Sequence, residues 1–191
     1  MPVDPSSVKT WANLVTVARV IVAPFMLVLI PDNFSDGGSW AAFALWFVLC
    51  ASDGVDGYLA RRHGATTLGA FLDPLADKIL VLGVMLILVA NDTYWIVPVA
   101  ITVGRELGIS LYRTFVASKG VSMPASKVAK WKTFTQQLSV GFAIAPLTAL
   151  DATWLWNSLL WISVALALIS GGQYMWRARA HDDAVEPAAV V

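Results

Sequence analysis

Charge is the scarcest feature of this sequence. Only 14% of its 191 residues are Asp, Glu, Lys or Arg, against 58% that are hydrophobic. That balance is too apolar for an ordinary soluble domain. Cysteine is nearly absent. The single Cys50 excludes an internal disulfide and says little about compartment. Glycine and proline are scattered rather than clustered, and no low-complexity segment occurs. No basic leader precedes the first apolar stretch, and that stretch contains Arg19, so it is not expected to be a cleaved signal.

What is abundant is apolar length. One helical span of a bilayer needs about 20 apolar residues. Six segments meet or approach that length: roughly 11–30, 40–60, 67–90, 94–116, 133–150 and 153–176. They predict an all-α integral membrane protein with six transmembrane helices. Residues 1–180 form a single membrane domain without a soluble module, and residues 181–191 are expected to be a disordered tail.

A net charge of zero conceals an asymmetry. Connections 31–39, 91–93 and 151–152 lack Lys and Arg but carry Asp32, Asp36, Asp92 and Asp151. The other side carries Lys9, Arg61, Arg62, Lys119, Lys127, Lys130, Lys132, Arg177 and Arg179. The positive-inside rule puts that side, with both termini, in the cytoplasm. Trp40, Trp95, Trp154 and Trp156 begin spans at the outer boundary, and Trp11, Trp131 and Trp176 mark the inner one. Trp46 and Trp161 do not fit this aromatic belt.

Against this background, SDGVDGYLARRHGATTLGAFLDPLADK, residues 52–78, carries Asp53, Asp56, Asp73 and Asp77. Spans two and three form a hairpin whose turn centres near Ala65. Asp56 and Asp73 lie nine and eight residues from it, and Asp53 and Asp77 each lie twelve away. The acids therefore face one another at matched depth, near the cytoplasmic boundary. Spacings of three and four put each couple on one helix face. Four close carboxylates repel, and burial disfavours their charged forms. A divalent cation removes both problems. Oxygen ligands suit Mg²⁺, Mn²⁺ or Ca²⁺, and four acids suffice for two ions.

Plainer roles exist for each acid. Asp73 before Pro74 fits a helix N-cap with proline at the first helical position. Asp77 can pair with Lys78 or Arg61, and Asp53 can sit in a hydrated helix end. All four arising this way is the weaker account, since intramembrane acids are functional candidates by default. Gly57 and Gly69 lie one turn from Asp53 and Asp73. Each can admit a bulky ligand or simply a neighbouring helix.

The pattern D-x-x-D-G-x-x-A-R followed by G-x-x-x-D-x-x-x-D reads here as Asp53, Asp56, Gly57, Ala60, Arg61, Gly69, Asp73 and Asp77. It resembles the signature of the CDP-alcohol phosphotransferase family at all eight fixed positions. Asn13, Thr16 and Arg19 resemble the family's first-helix N-x-x-T-x-x-R. Arg105, Glu106 and Arg113 in GRELGISLYRTFVASKG resemble the branch that makes phosphatidylglycerophosphate. So do Lys130, Lys132, Thr133 and Gln136 in SKVAKWKTFTQ, although Ala129 stands where that branch usually has glycine.

The resemblance covers roughly residues 10–176. It implies a bacterial, multi-pass, homodimeric enzyme of the cell membrane. Such an enzyme transfers a phosphatidyl group from CDP-diacylglycerol to sn-glycerol 3-phosphate and releases CMP. Asp53, Asp56 and Asp73 would be the core ligands of two Mg²⁺ or Mn²⁺ ions. Asp77 would be the general base, also touching a metal. Arg61 can meet the donor's phosphates as a bidentate fork. Gly57 and Gly69 would make room for the cytidine, with Asn13 and Thr16 as polar contacts. Arg105, Arg113, Lys130 and Lys132 would bind the dianionic acceptor, and Glu106 can orient or neutralise Arg105. The lysines also fit an interfacial helix held by anionic headgroups. Membrane lipids are partners, and no nucleic acid is expected.

Other functions remain open to the residues. A cardiolipin synthase would use phosphatidylglycerol as its alcohol, and should need fewer cations. An inositol-phosphate acceptor fits the Arg105–Gln136 stretch less well. A divalent-cation transporter should keep acids near the midplane with routes to both sides. A non-catalytic scaffold would release no CMP.

Overall fold

The computed structural model describes residues 11–30, 37–63, 67–118 and 126–185. Side chains are described for 18, 19, 21–30, 37–52, 78–116 and 126–176. The described residues are all-helical. In chain order they form α1 (Trp11–Leu29), α2 (Trp40–His63), α3 (Thr67–Ala90), α4 (Ile96–Ser118), α5 (Lys127–Ile144) and α6 (Thr153–Val185).

The first four helices keep close to the predicted boundaries, and the last two depart from them. Helix α5 starts at Lys127, well before the expected 133. Ser126 caps it: its extended backbone lets Oγ accept from the Ala129 N–H at 3.2 Å. An apolar window misses these first six residues because Lys127, Lys130 and Lys132 fall among them. Helix α5 also stops at Ile144 rather than 150. Ala145 precedes Pro146, whose ring disfavours helical backbone there, and Ala145 is extended at ψ 129°. Helix α6 runs to Val185, into the stretch expected as a tail. Its alanines and arginines favour helix, and the first proline comes at Pro187.

Helix α3 passes through Asp73 and Pro74 without a break. Asp73 is therefore not an N-cap. Pro74 lies inside the helix and leaves the Ala70 carbonyl without its usual donor. The turn at 64–66 lies outside the described residues.

Helix α5 is the hub. It pairs most extensively with α6 and also touches α2 and α3. Helix α1 lies against α2 and α3, and α4 against α3 and α6. The centre is filled by Met26, Val84, Met85, Leu88, Ile144 and Leu160, all fully buried. Large apolar side chains also point outward, including Phe25, Phe47, Leu111 and Leu147. Exposed in water, such a shell would drive association. Thr153–Trp176 of α6 is long and apolar enough to cross a membrane, and Trp40–Ser52 and Lys78–Ala90 are apolar stretches within α2 and α3.

Polar pins lock the packing. Ser139 Oγ donates to the Trp156 carbonyl at 2.7 Å, so its oxygen accepts from the Tyr94 hydroxyl at 2.6 Å. The Tyr94 and Trp156 rings lie 5.4 Å apart. Trp156, expected at a membrane boundary, is buried there, and its Nε1 finds no acceptor among the described residues. Trp46, the misfit of the belt, is also buried, and donates from Nε1 to the Gln137 carbonyl at 3.1 Å. Trp161, the other misfit, packs against Trp95.

The entry to α2 is tied to the exit of α5. The Ser39 N–H donates to the Ile144 carbonyl at 3.0 Å. A Cβ on Gly38 would come within 2.0 Å of that same carbonyl oxygen, so no larger residue fits without moving the backbone. Gly38→Ala is expected to destabilise the fold by roughly 1–3 kcal/mol, read as a lower thermal midpoint of purified protein in detergent. An unchanged midpoint would mean that this junction is not close-packed.

Candidate active site

Three helices bring charge to one level of the bundle. Glu106 of α4 is the centre. Its Oε1 accepts from Lys132 Nζ of α5 and from Arg105 Nη1, each at 2.6 Å. Glu106 and Lys132 are buried, and Arg105 is nearly so. The other arms of Arg105 are engaged by α6. Its Nε donates to the Ala167 carbonyl at 3.0 Å and its Nη2 to Ser170 Oγ at 2.6 Å. Gly171 of α6 lies beside Arg105, where an added Cβ would sit at ordinary contact distance, 3.5 Å from Arg105 Nε.

Lys78 of α3 joins the cluster. Its ammonium donates to Ser110 Oγ, and Ser110 Oγ donates in turn to the Glu106 carbonyl at 2.7 Å. Lys78, Glu106, Lys132, Thr133 and Gln136 line one narrow crevice. Among the described residues, three cations therefore face a single carboxylate in an apolar bundle. Such an excess is costly in a low-dielectric interior and favours a bound anion.

The structure thus brings together two of the four predicted acceptor residues, Arg105 and Lys132. Arg113 and Lys130 are exposed and do not enter the crevice. Lys78 was visible in the sequence only as a partner for Asp77. The signal for it was a lysine in the middle of an apolar run. Ser110 and Ser170 gave no signal, because small hydroxyl residues are common in apolar helices.

The acid motif adjoins this cluster. Lys78 follows Asp77 directly in α3. On the other side, buried Arg19 of α1 donates from Nη2 to Ser52 Oγ at 3.2 Å, and Ser52 directly precedes Asp53. The backbone of α2 is helical through 53–61 and that of α3 through 69–77. The side chains of Asp53, Asp56, Asp73, Asp77, Arg61, Asn13 and Thr16 lie outside the described residues, as do the surroundings of Gly57 and Gly69. Among the described residues no three of His, Cys, Asp and Glu come together.

The profile of the CDP-alcohol phosphatidyltransferase family matches residues 9–169. The chain belongs to that family, whose members are membrane-integral. It is similar to proteins named CDP-diacylglycerol–glycerol-3-phosphate 3-phosphatidyltransferase from several bacteria. The Rickettsia typhi protein is 34% identical over 171 residues, covering 87% of this chain and 95% of its own. The Pseudomonas fluorescens protein is 35% identical over 174 residues, covering 86% and 84%. The Haemophilus influenzae protein is 34% identical over 178 residues, covering 84% and 88%.

Removing the shared carboxylate should leave two cations unbalanced. Glu106→Ala is expected to cost on the order of 3 kcal/mol of stability. Thermal unfolding in detergent measures it, and an unshifted midpoint would show that the ion pairs do not hold α4 to α5.

Proposed function

We propose that this chain transfers the phosphatidyl group of CDP-diacylglycerol to sn-glycerol 3-phosphate, yielding phosphatidylglycerophosphate and CMP. The observation that carries the reading is the adjacency of two opposite sites. The aspartate motif ends at Asp77, and the next residue, Lys78, lines a cationic crevice. A donor pyrophosphate and an acceptor phosphate need such neighbouring compartments. The names of the bacterial relatives, at 34–35% identity over most of the chain, support the same reaction. They give no support to a cardiolipin synthase or a transporter.

The protein spans the bacterial cell membrane six times in this reading, with both termini and the site on the cytoplasmic side, and it works as a homodimer. The outward apolar shell and the exposed Trp40, Trp95, Trp131 and Trp176 favour this placement.

Carboxylates alone make an oxygen donor set that fits Mg²⁺ or Mn²⁺. Asp53, Asp56, Asp73 and Asp77 would hold two such ions, which when bound neutralise charge on the phosphoryl oxygens. Arg61 holds the donor's phosphates, and Asn13, Thr16, Gly57 and Gly69 border the nucleotide. The acceptor hydroxyl attacks the phosphorus that bears diacylglycerol. A new P–O bond forms, the bond to CMP breaks, and Asp77 takes the hydroxyl proton.

The acceptor's own phosphate competes with Glu106 for Lys132 and Arg105, with Lys78 beside them, and the crevice, about 10 Å³ as it stands, widens to admit it. Exposed Arg113 and Lys130 raise the local concentration of the dianion by long-range attraction. Glu106 thus holds the cations in position until substrate arrives.

Purified protein should release CMP from CDP-diacylglycerol only when glycerol 3-phosphate is added. Release with phosphatidylglycerol instead would move the assignment to cardiolipin synthesis. Asp56→Asn should abolish release in protein that still inserts, and EDTA should do the same until Mg²⁺ or Mn²⁺ is restored. Indifference to chelator would exclude the two-metal reading. Lys132→Met should raise the acceptor KM about tenfold or more, as expected for one lost charge-assisted bond, with the donor KM little changed. Equal effects on both substrates would take Lys132 out of the acceptor pocket.

A further inference from the structure

The two short bonds to Glu106 meet on a single oxygen. Lys132 Nζ and Arg105 Nη1 each donate to Oε1 at 2.6 Å. A carboxylate gripped through one oxygen lacks the two parallel bonds that make arginine–carboxylate pairs strongest. The cations are held differently. Arg105 is fixed from α6, through Nε to the Ala167 carbonyl and Nη2 to Ser170 Oγ. It therefore keeps its place whatever anion faces Nη1. Lys78 donates to Ser110 Oγ, which in turn donates to the main-chain carbonyl of Glu106, not to its side chain. Among the described residues the carboxylate is thus the exchangeable member of the cluster.

The same carboxylate closes the crevice. Lys78, Glu106, Lys132 and Gln136 are among the residues that enclose about 10 Å³. That is room for about one water and not for a phosphate. An incoming anion has to take the place of Oε1 on Lys132 and Arg105. Glu106 follows Arg105 directly in α4, so it competes with the high effective concentration of an intramolecular partner.

Competition weakens binding, because a ligand admitted only by the open fraction loses affinity in proportion to that fraction. The advantage appears after the reaction. The proposed transfer consumes the acceptor's hydroxyl and leaves its phosphate untouched. The product therefore presents the same dianion to the same cations. A crevice that only attracted anions would hold product as firmly as substrate. Three buried cations without a counter-charge would make such a trap, and product release limits turnover in many enzymes.

We propose that Glu106 is a tethered competitor that ejects the product. It yields Lys132 and Arg105 to the acceptor's phosphate, and takes them back to free the phosphate of the lipid product. The proposal rests on the acceptor assignment above. It differs from a merely structural ion pair in sign: removing the competitor tightens anion binding, whereas removing a brace loosens it.

The test follows the acceptor and the product separately. Glu106→Gln keeps the shape of the side chain and removes its charge. Its KM for glycerol 3-phosphate is expected to fall about tenfold, as for a crevice closed in about nine molecules of ten. Its kcat should fall as well, and phosphatidylglycerophosphate should inhibit it more strongly by a similar factor. Quenched-flow assays should show a burst of about one CMP per site in this variant and none in the unmodified chain. Glu106→Asp keeps the charge but falls one methylene short of Lys132 and Arg105. A shorter arm competes less well, so its acceptor KM should also fall. An unchanged KM in Glu106→Asp would mean that Glu106 acts only through its charge, and a raised KM in either variant that it only braces the cations. Both results would overturn the proposal while leaving the reaction intact. So would a CMP burst in the unmodified chain, which needs no variant to fold. If CMP release by the unmodified chain does not depend on glycerol 3-phosphate, the acceptor reading fails and the proposal falls with it.

Discussion

Glu106 accepts two short charged hydrogen bonds, from Arg105 and Lys132, in the middle of a bundle whose other contacts are mostly apolar. Van der Waals packing can hold such helices together but specifies little about their depth, since one apolar side chain slides past another at small cost. A buried carboxylate between two cations does specify depth, because displacement by one residue would strand charge without a partner. Arg105 extends the constraint to α6 through Ala167 and Ser170, and Lys78 extends it to α3 through Ser110. Four of the six helices are thereby held in mutual register at the level of the candidate site.

That register serves chemistry as well as stability. Among the described residues three cations stand against one carboxylate, a surplus that in the proposed reaction an incoming dianion would satisfy. The same arrangement that positions α3 places Lys78 in the crevice and Asp77 one residue from it. The pinned Trp46 plays a comparable part on the other face, where it fixes the α2–α5 spacing that leaves a groove between them.

Much of this was legible in the chain. Apolar length placed the helices, and the ends that departed from it had local causes that were also written there: Ser126 as a cap, Pro146 as a stop, and an alanine-rich run free of proline beyond Arg179. The paired spacing of four acids pointed to oxygen-ligand chemistry. The number of cations near Arg105–Lys132 pointed to an anionic acceptor. Helical periodicity and charge count carry these inferences because they depend on neighbours in sequence.

What depended on distant contacts was not legible. Arg105 lies deep in its span and Arg113 near its end, a difference legible in the sequence, but nothing local distinguishes Lys132, which converges on Glu106, from Lys130, which stays exposed. Nothing local makes Trp46 and Trp156 core residues while Trp40 and Trp154 face outward. The sequence by itself determined six helices, a family signature and the chemical character of the site. Only the tertiary structure decided which charges meet, that Lys78 is among them, and where an apolar groove opens between α2 and α5, because those outcomes turn on helix rotation and register, set by contacts between residues far apart in the chain.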